Sequence, residues 1–397
     1  MQHALKLNYH WQLINKEKNM NNTMYKYLYI DDTRERLEEG MINALQDNSN
    51  IEITFRGPSD WETIIEYLKT ELPKHNGIIL DLRLNDIAYA KGKYAQYKGS
   101  TVAQELRSLT KEGLLNDFPM ILFSGTDKLD HYLDPTSKDL FDKIVDKTKI
   151  EQPGYFNYED FKIKLKWLAD GYSFLNDLKN RSVEHIFKMD DLTFFDPRFI
   201  DHFNSLLTKP IHIVAHFIIK EVIGKPCFLI DENYLSARMG IDKQSEDWSA
   251  FLEKISGCKY TGAFSNYFDR WWMPAINKFW QTEISTEQSL RTLGSPKRIE
   301  LLIEKTGLQN LNPLSKTKNA KSESFWVSCK ATGISIDTVD GFILAGQENR
   351  HPWQEPEYIS SDEALRPTKD YSVSITERPR LEKLKNLLEK NEQRIRK

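Results

Sequence analysis

The sequence predicts an α/β fold, a doubly wound five-stranded parallel sheet, followed by a mainly α-helical second domain with some strand. Three observations predict it. Short apolar runs alternate with amphipathic stretches over residues 24–150, the strand and helix alternation of a parallel sheet. The apolar runs close on polar residues, Asp31, Asp81, Ser124 and Lys147. After Ile150 the rhythm changes to helical stretches broken by Gly and Pro, with β-like pieces at 325–345.

The elements follow in order. MYKYLYI (24–30) is the first strand, and Leu37, Met41 and Leu45 at fourfold spacing mark a helix after it. IEITF (51–55) is the second strand. SDWETIIEYLKTEL (59–72) is a helix with Ser59 as N-cap and Glu62 three residues on, a capping-box spacing. GIIL (77–80), the helix TVAQELRSL (101–109), the strand PMILF (119–123) and DLFDKIV (139–145) complete the alternation. Right-handed crossovers place the carboxyl ends of parallel strands on one edge, where ligands bind in such folds. Residues 82–100, with three tyrosines and three lysines, form a long polar flap beside that edge. It is either a partner surface or an insertion.

Length and composition bound the rest. A chain of 397 residues suits two or three domains, and the expected divisions are an N-terminal extension (1–23), the α/β domain (24–150), a helical connector (151–185), an α-rich domain (186–376) and a charged C-terminal helix (377–397). Net charge of -3 gives no global field for nucleic acid or anionic membrane. Mean hydropathy is -0.58, and no segment approaches the roughly 20 apolar residues of a spanning helix. No apolar stretch with a processing site follows the amino terminus, so the expected compartment is the cytoplasm. The three cysteines, Cys227, Cys258 and Cys329, form no Cys-x-x-Cys pair, and reduced buried thiols are expected.

The strand-end residues carry the chemistry. A carboxylate accepts a phosphoryl group when a divalent cation neutralises the incoming phosphate and a lysine balances the remaining charge. Mg2+ takes oxygen ligands in octahedral geometry. Asp31 and Asp32 would hold it, Asp81 would supply both a ligand and the nucleophilic oxygen, and the backbone carbonyl of Arg83 would complete the protein's share. Ser124 offers a hydroxyl to a phosphoryl oxygen, Gly125 leaves room for it, and Lys147 supplies a compact positive charge.

Over residues 24–150 the chain resembles the receiver domain of two-component response regulators, on Ile30-Asp31-Asp32, Leu80-Asp81, Phe123-Ser124-Gly125 and Asp146-Lys147. The resemblance implies a receiver-like fold and a phosphorelay role. Asp81 would be phosphorylated in a Mg2+-dependent reaction by a histidine-kinase-type or related ATPase partner, and the signal passed to the α-rich domain by protein contact. It implies a phosphoacceptor regulator rather than a turnover enzyme, and is compatible with a homodimer. Three departures stand out: Thr148 follows the lysine where the family usually has proline, Ile144 stands where an aromatic switch residue is expected, and the long flap after Asp81 is atypical. One alternative is a non-phosphorylated receiver acting as a docking scaffold. Another is an effector enzyme with a site within 186–376, in the setting of a bacterial defence or stress module.

The second half carries weaker signals. His212 and His216 share a helical face without a third ligand at a defined spacing, so core or capping histidines are expected. The Gly240-Ile241 turn within 234–252 loosely resembles a helix-turn-helix, but the following helix carries Asp242, Glu246 and Asp247 with Lys243 as its only base, against DNA binding. The aromatic stretch 260–280 reads as core or protein interface. The tail has Leu381, Leu384, Leu388, Asn391 and Ile395 at heptad positions, read as a helix packing on its own domain.

Overall fold

The computed structural model describes residues 23–33, 36–150, 152, 154–366 and 371–395. The expected N-terminal extension, apart from Thr23, lies outside them. The chain forms two compact units, Met1–Asn180 with Thr208–His216, and Arg181–Leu207 with Phe217–Lys397.

The first unit is the expected doubly wound sheet. Strands β1 (Tyr25–Ile30), β2 (Ile51–Arg56), β3 (Gly77–Leu80), β4 (Met120–Ser124) and β5 (Lys143–Asp146) pair in parallel in the order β2-β1-β3-β4-β5. The alternation of β1 explains its two faces. Leu28 and Ile30 enter an aliphatic layer with Ile64, Leu68, Val102 and Leu106. Tyr25 and Tyr27 point the other way, where their hydroxyls donate to Asp170 Oδ1 at 3.0 Å and to the Leu165 carbonyl at 2.7 Å. The helices are α1 (Arg36–Gln46), α2 (Trp61–Glu71), α3 (Gly99–Lys111), α4 (Thr126–Tyr132) and α5 (Tyr158–Asp177).

Three local details differ from expectation. The N-cap of α2 is Asp60 rather than Ser59, because the Asp60 carboxylate accepts from both Thr63 N at 2.9 Å and Thr63 Oγ1 at 2.8 Å. Helix α3 starts earlier, at Gly99, and runs later, to Lys111. Helix α5, expected to lead out of the domain, belongs to the first unit and buries Phe161, Leu165, Leu168 and Tyr172.

Gly99 fixes how closely α3 approaches the end of β3. Its N–H donates to the Leu82 carbonyl at 2.9 Å, and a Cβ there would stand 2.0 Å from the backbone oxygen of Asp81. Backbone cannot swing aside as a side chain can. We therefore expect Gly99→Ala to displace the start of α3 and to cost about 1–3 kcal/mol, read as a lowered urea midpoint. An unchanged midpoint would show that the helix start is free to shift.

The second unit is helix-rich with short antiparallel pairs, Leu229–Ile230 with Trp271–Trp272, Val327–Ser328 with Ser335–Ile336, and Gly341–Ile343 with Tyr358–Ser360. Tyr260, Trp271, Trp272 and Trp280 are all buried, so the aromatic stretch is core. The C-terminal helix Arg378–Ile395 places Leu381 in this core with Leu384 against it.

Candidate functional site

The sheet order reverses at β1, because β2 lies on one side of it and β3 on the other. Ligand crevices in doubly wound sheets open beyond the carboxyl ends of the strands at such a point. Ile30 pairs with Leu80, and the Asp81 N–H donates to the Ile30 carbonyl at 2.9 Å. Asp31 and Asp81 therefore leave neighbouring strands side by side.

Asp31, Asp32 and Asp81 each bring a carboxylate oxygen within 4.8 Å of the others, the one group of three or more such side chains among the described residues. Asp31 and Asp81 are buried. Each carboxylate is held differently. Asp31 accepts from Tyr29 Oη at 2.5 Å and Thr33 N at 3.1 Å, and the Lys147 ammonium pairs with it. Asp32 Oδ2 accepts from two flap amides, Asp86 N at 2.6 Å and Ile87 N at 2.9 Å. Asp81 Oδ2 accepts from Arg83 N at 2.9 Å, while Lys147 Nζ lies 3.3 Å from Asp81 Oδ1.

Burial among like charges shows in Asp81. Loss of solvent pushes its carboxyl above the usual range, and Asp31 adds to the rise, while Lys147, Lys128 and the Arg83 N–H pull against it. Among the described residues the buried Ser124 Oγ has no hydrogen-bond partner, and Asp81 Oδ1 has none beyond its ion pair with Lys147. Leaving a buried hydroxyl such as that of Ser124 unpaired costs about 1–3 kcal/mol, and a catalytic role, a water or an ion are among the reasons such a group persists.

Ser124 ends β4 and pairs in register with Asp146 of β5, which places Lys147 just past that strand. The residues around it take part in local contacts of their own. Thr148 N and Oγ1 donate to Asp146 Oδ1 at 3.0 and 2.7 Å, and a proline could not supply that N–H. Burial opposes ionisation of Asp146, but the donors from Thr126, Thr148 and Lys149 outweigh it and hold its carboxyl at about 2. Ile144 packs against the aliphatic core.

Sequence reading missed Lys128, Asp86 and Tyr29. Lys128 Nζ lies 3.4 Å from Asp81 Oδ2 and 3.0 Å from Asp86 Oδ2, and Arg83 pairs with Asp86 at 2.6 Å. The signal for Lys128 was its place one helical turn beyond Ser124. For Tyr29 it was the period of β1, which puts residues two apart on one face. Asp86 carried no local signal.

The flap is anchored at both ends and exposed in the middle. Leu84, Ala95 and Tyr97 are core residues, Arg83 bridges to Lys98, and Tyr97 Oη donates to the Ser59 carbonyl at 3.0 Å. Ile87 and Tyr94 face outward at 44% and 48% exposure.

The weaker candidates take structural places. Asp117 Oδ2 accepts from His212 Nδ1 at 2.9 Å, and Asp142 Oδ1 accepts from His216 Nε2 at 3.1 Å, so both histidines are buried hydrogen-bonding groups. In the second unit a cavity of about 260 Å3 is lined by Asp231, Asn233, Arg270, Lys330 and Glu357 among others. Its cations are engaged, Lys330 with Glu357 at 2.5 Å and Arg270 with the Ile223 carbonyl.

No protein-family model matches this chain, and no curated protein matches it in sequence. Among solved structures it is similar to the phosphorylated cyanobacterial phytochrome response regulator RcpA, at 16% identity and a TM-score of 0.24, over 40% of this chain and 100% of that one. It is also similar to the RcsB response regulator of Salmonella typhimurium, at 12% identity and a TM-score of 0.20, over 49% of this chain and 98% of that one. At such scores the fold rests on the strand order and register of the chain itself. No described helix is long and apolar enough to cross a membrane.

Proposed function

We propose that the first unit is a phosphoryl-accepting signalling domain with Asp81 as acceptor, and that the observation carrying this is the convergence of three carboxylates, with Lys147 against Asp81 and the buried Ser124 Oγ, without a hydrogen-bond partner among the described residues, at the end of the neighbouring strand. An Asp81 oxygen forms the new P–O bond as the donor's P–N bond breaks and the donor nitrogen takes up a proton. Ser124 Oγ donates to one phosphoryl oxygen, and Lys147 balances the charge on another. The donor is a histidine-kinase-type or related ATPase protein, and the α-rich unit passes the signal by protein contact in the cytoplasm, without DNA binding and without turnover chemistry of its own.

The carboxylates of Asp31, Asp32 and Asp81 suit a hard divalent cation such as Mg2+, with the Arg83 carbonyl as a further oxygen donor. When bound, the cation supplies charge neutralisation. The chain's own part is to hold these oxygens: Tyr29 and Thr33 orient Asp31, the flap amides orient Asp32, and the Arg83 N–H orients Asp81.

A second reading, a silent domain that only docks a partner, is favoured by one observation: both Asp81 oxygens already face an ammonium, Lys147 and Lys128. Beryllofluoride with Mg2+ separates the two, because it forms an acyl-phosphate mimic only on a competent carboxylate. Saturating beryllofluoride is expected to raise the melting temperature by about 5 °C. No rise in a folded protein would leave the docking reading.

A further inference from the structure

Lys128 belongs to no part of the acceptor machinery that the sequence pattern supplies, yet it faces the acceptor. Its ammonium reaches from the first turn of α4 to within 3.4 Å of Asp81 Oδ2, whereas the Asp81 oxygen nearest Lys147 is Oδ1. It is shared with Asp86 at 3.0 Å. Asp86 is held independently by Arg83, so it keeps a cationic partner if Lys128 turns away. The Lys128 side chain is 30% exposed against 10% for Lys147, which puts it at the mouth of the crevice, where a transferred group would enter.

Formal charge gives the reason for a second lysine. Once Asp81 carries a phosphoryl group, the site holds an acyl-phosphate dianion and the carboxylates of Asp31 and Asp32. A divalent cation and Lys147 leave one negative charge uncompensated. Lys128 brings the site to neutrality. In a crevice largely screened from water such a charge is worth several times what it is at the surface, and an ammonium already aimed at the acceptor needs little reorganisation.

Resting on the reading of Asp81 as acceptor, we infer that Lys128 is a second phosphoryl-binding residue, parked on Asp86 in the resting site and transferred to a phosphoryl oxygen when Asp81 is modified. Lys128 moves no proton and breaks no bond. It takes up an ion pair with the product, and Asp86 falls back on Arg83.

The test is the affinity of the full chain for beryllofluoride at fixed saturating Mg2+, measured for the wild type and for Lys128→Gln, Lys128→Arg, Asp86→Asn and Lys111→Gln. Lys111 removes the same charge at the far end of α3, about 18 Å along the helix from Gly99. Metal-free melting reports that each variant is folded. Losing one charge-assisted contact should weaken binding roughly tenfold or more in Lys128→Gln, with Lys128→Arg retaining most of the affinity and Lys111→Gln unchanged. Asp86→Asn should bind as well as the wild type or better, because it frees the ammonium. Wild-type affinity in folded Lys128→Gln would overturn the inference and leave Asp81 as acceptor. So would an Asp86→Asn variant as weak as Lys128→Gln, since Lys128 would then act only by pinning the flap. Failure of the wild type itself to bind would overturn the acceptor reading, and this inference with it.

Discussion

Arg107→Met should destabilise the first unit by about 3–5 kcal/mol. Arg107 is 3% exposed and donates to Asp117 Oδ1 at 2.6 Å, to the Phe118 and Leu140 carbonyls at 2.9 and 3.0 Å, and to Asp142 Oδ2 at 3.4 Å. Methionine fills much of its volume but leaves two buried carboxylates facing each other without a permanent cation. The cluster sits where β4 and β5 begin, the edge opposite the crevice, so the loss is one of folding and not of site chemistry. Its pH dependence has a defined sign. Burial pushes Asp117 and Asp142 up, but hydrogen bonds from His212 and His216 and the charge of Arg107 outweigh it and hold both below the usual carboxylate range. A carboxyl depressed in the folded state contributes stability that is complete above its ordinary range, near pH 4, and is lost as the pH falls through the folded value. Urea melts should therefore show wild-type stability falling below about pH 4, and falling less steeply in Arg107→Met. A loss under about 1 kcal/mol at neutral pH would mean that the network contributes little.

Asp81→Asn should abolish the beryllofluoride-induced rise in melting temperature outright while raising the melting temperature of the metal-free protein. The amide keeps the shape and can still accept from Arg83 N, but it has no carboxylate oxygen to modify. The gain in stability follows from the upward shift of the Asp81 carboxyl, caused chiefly by burial. A carboxyl raised in the folded state costs stability when ionised, and the cost is relieved as the pH falls. Removing the charge strands neither lysine, because Lys147 still pairs with Asp31 and Lys128 with Asp86. A metal-free protein less stable than wild type would place Asp81 among structural carboxylates.

The parts of this fold with a strong period were legible in the sequence. GIIL ending at Asp81 and PMILF ending at Ser124 could be read as buried strands with polar ends because a short apolar run bounded by turn signals has few other uses. Convergence of Asp31, Asp32, Asp81 and Lys147 followed from parallel topology. What the sequence hid depends on long-range placement. Lys128 reads as an ordinary surface lysine until α4 sets it over Asp81, and Asp86 reads as a loop residue until the flap folds back onto Asp32. His212 and His216 show only a shared helical face, and their partners Asp117 and Asp142 stand 95 and 74 residues away. The flap read as polar and aromatic throughout, and Tyr97 is an anchor while Tyr94 is an exposed ring, a distinction that alternation in an irregular loop does not encode.

Asp81 is expected to accept a phosphoryl group. The most direct test is incubation of the full chain with Mg2+ and a small phosphoramidate donor, followed by intact-mass measurement and peptide mapping. A single added phosphoryl group is expected, labile to hydroxylamine as an acyl phosphate is, on the peptide that contains Asp81, and none in Asp81→Asn. A folded wild-type protein that gains no phosphoryl group, or gains it on another residue, would contradict it.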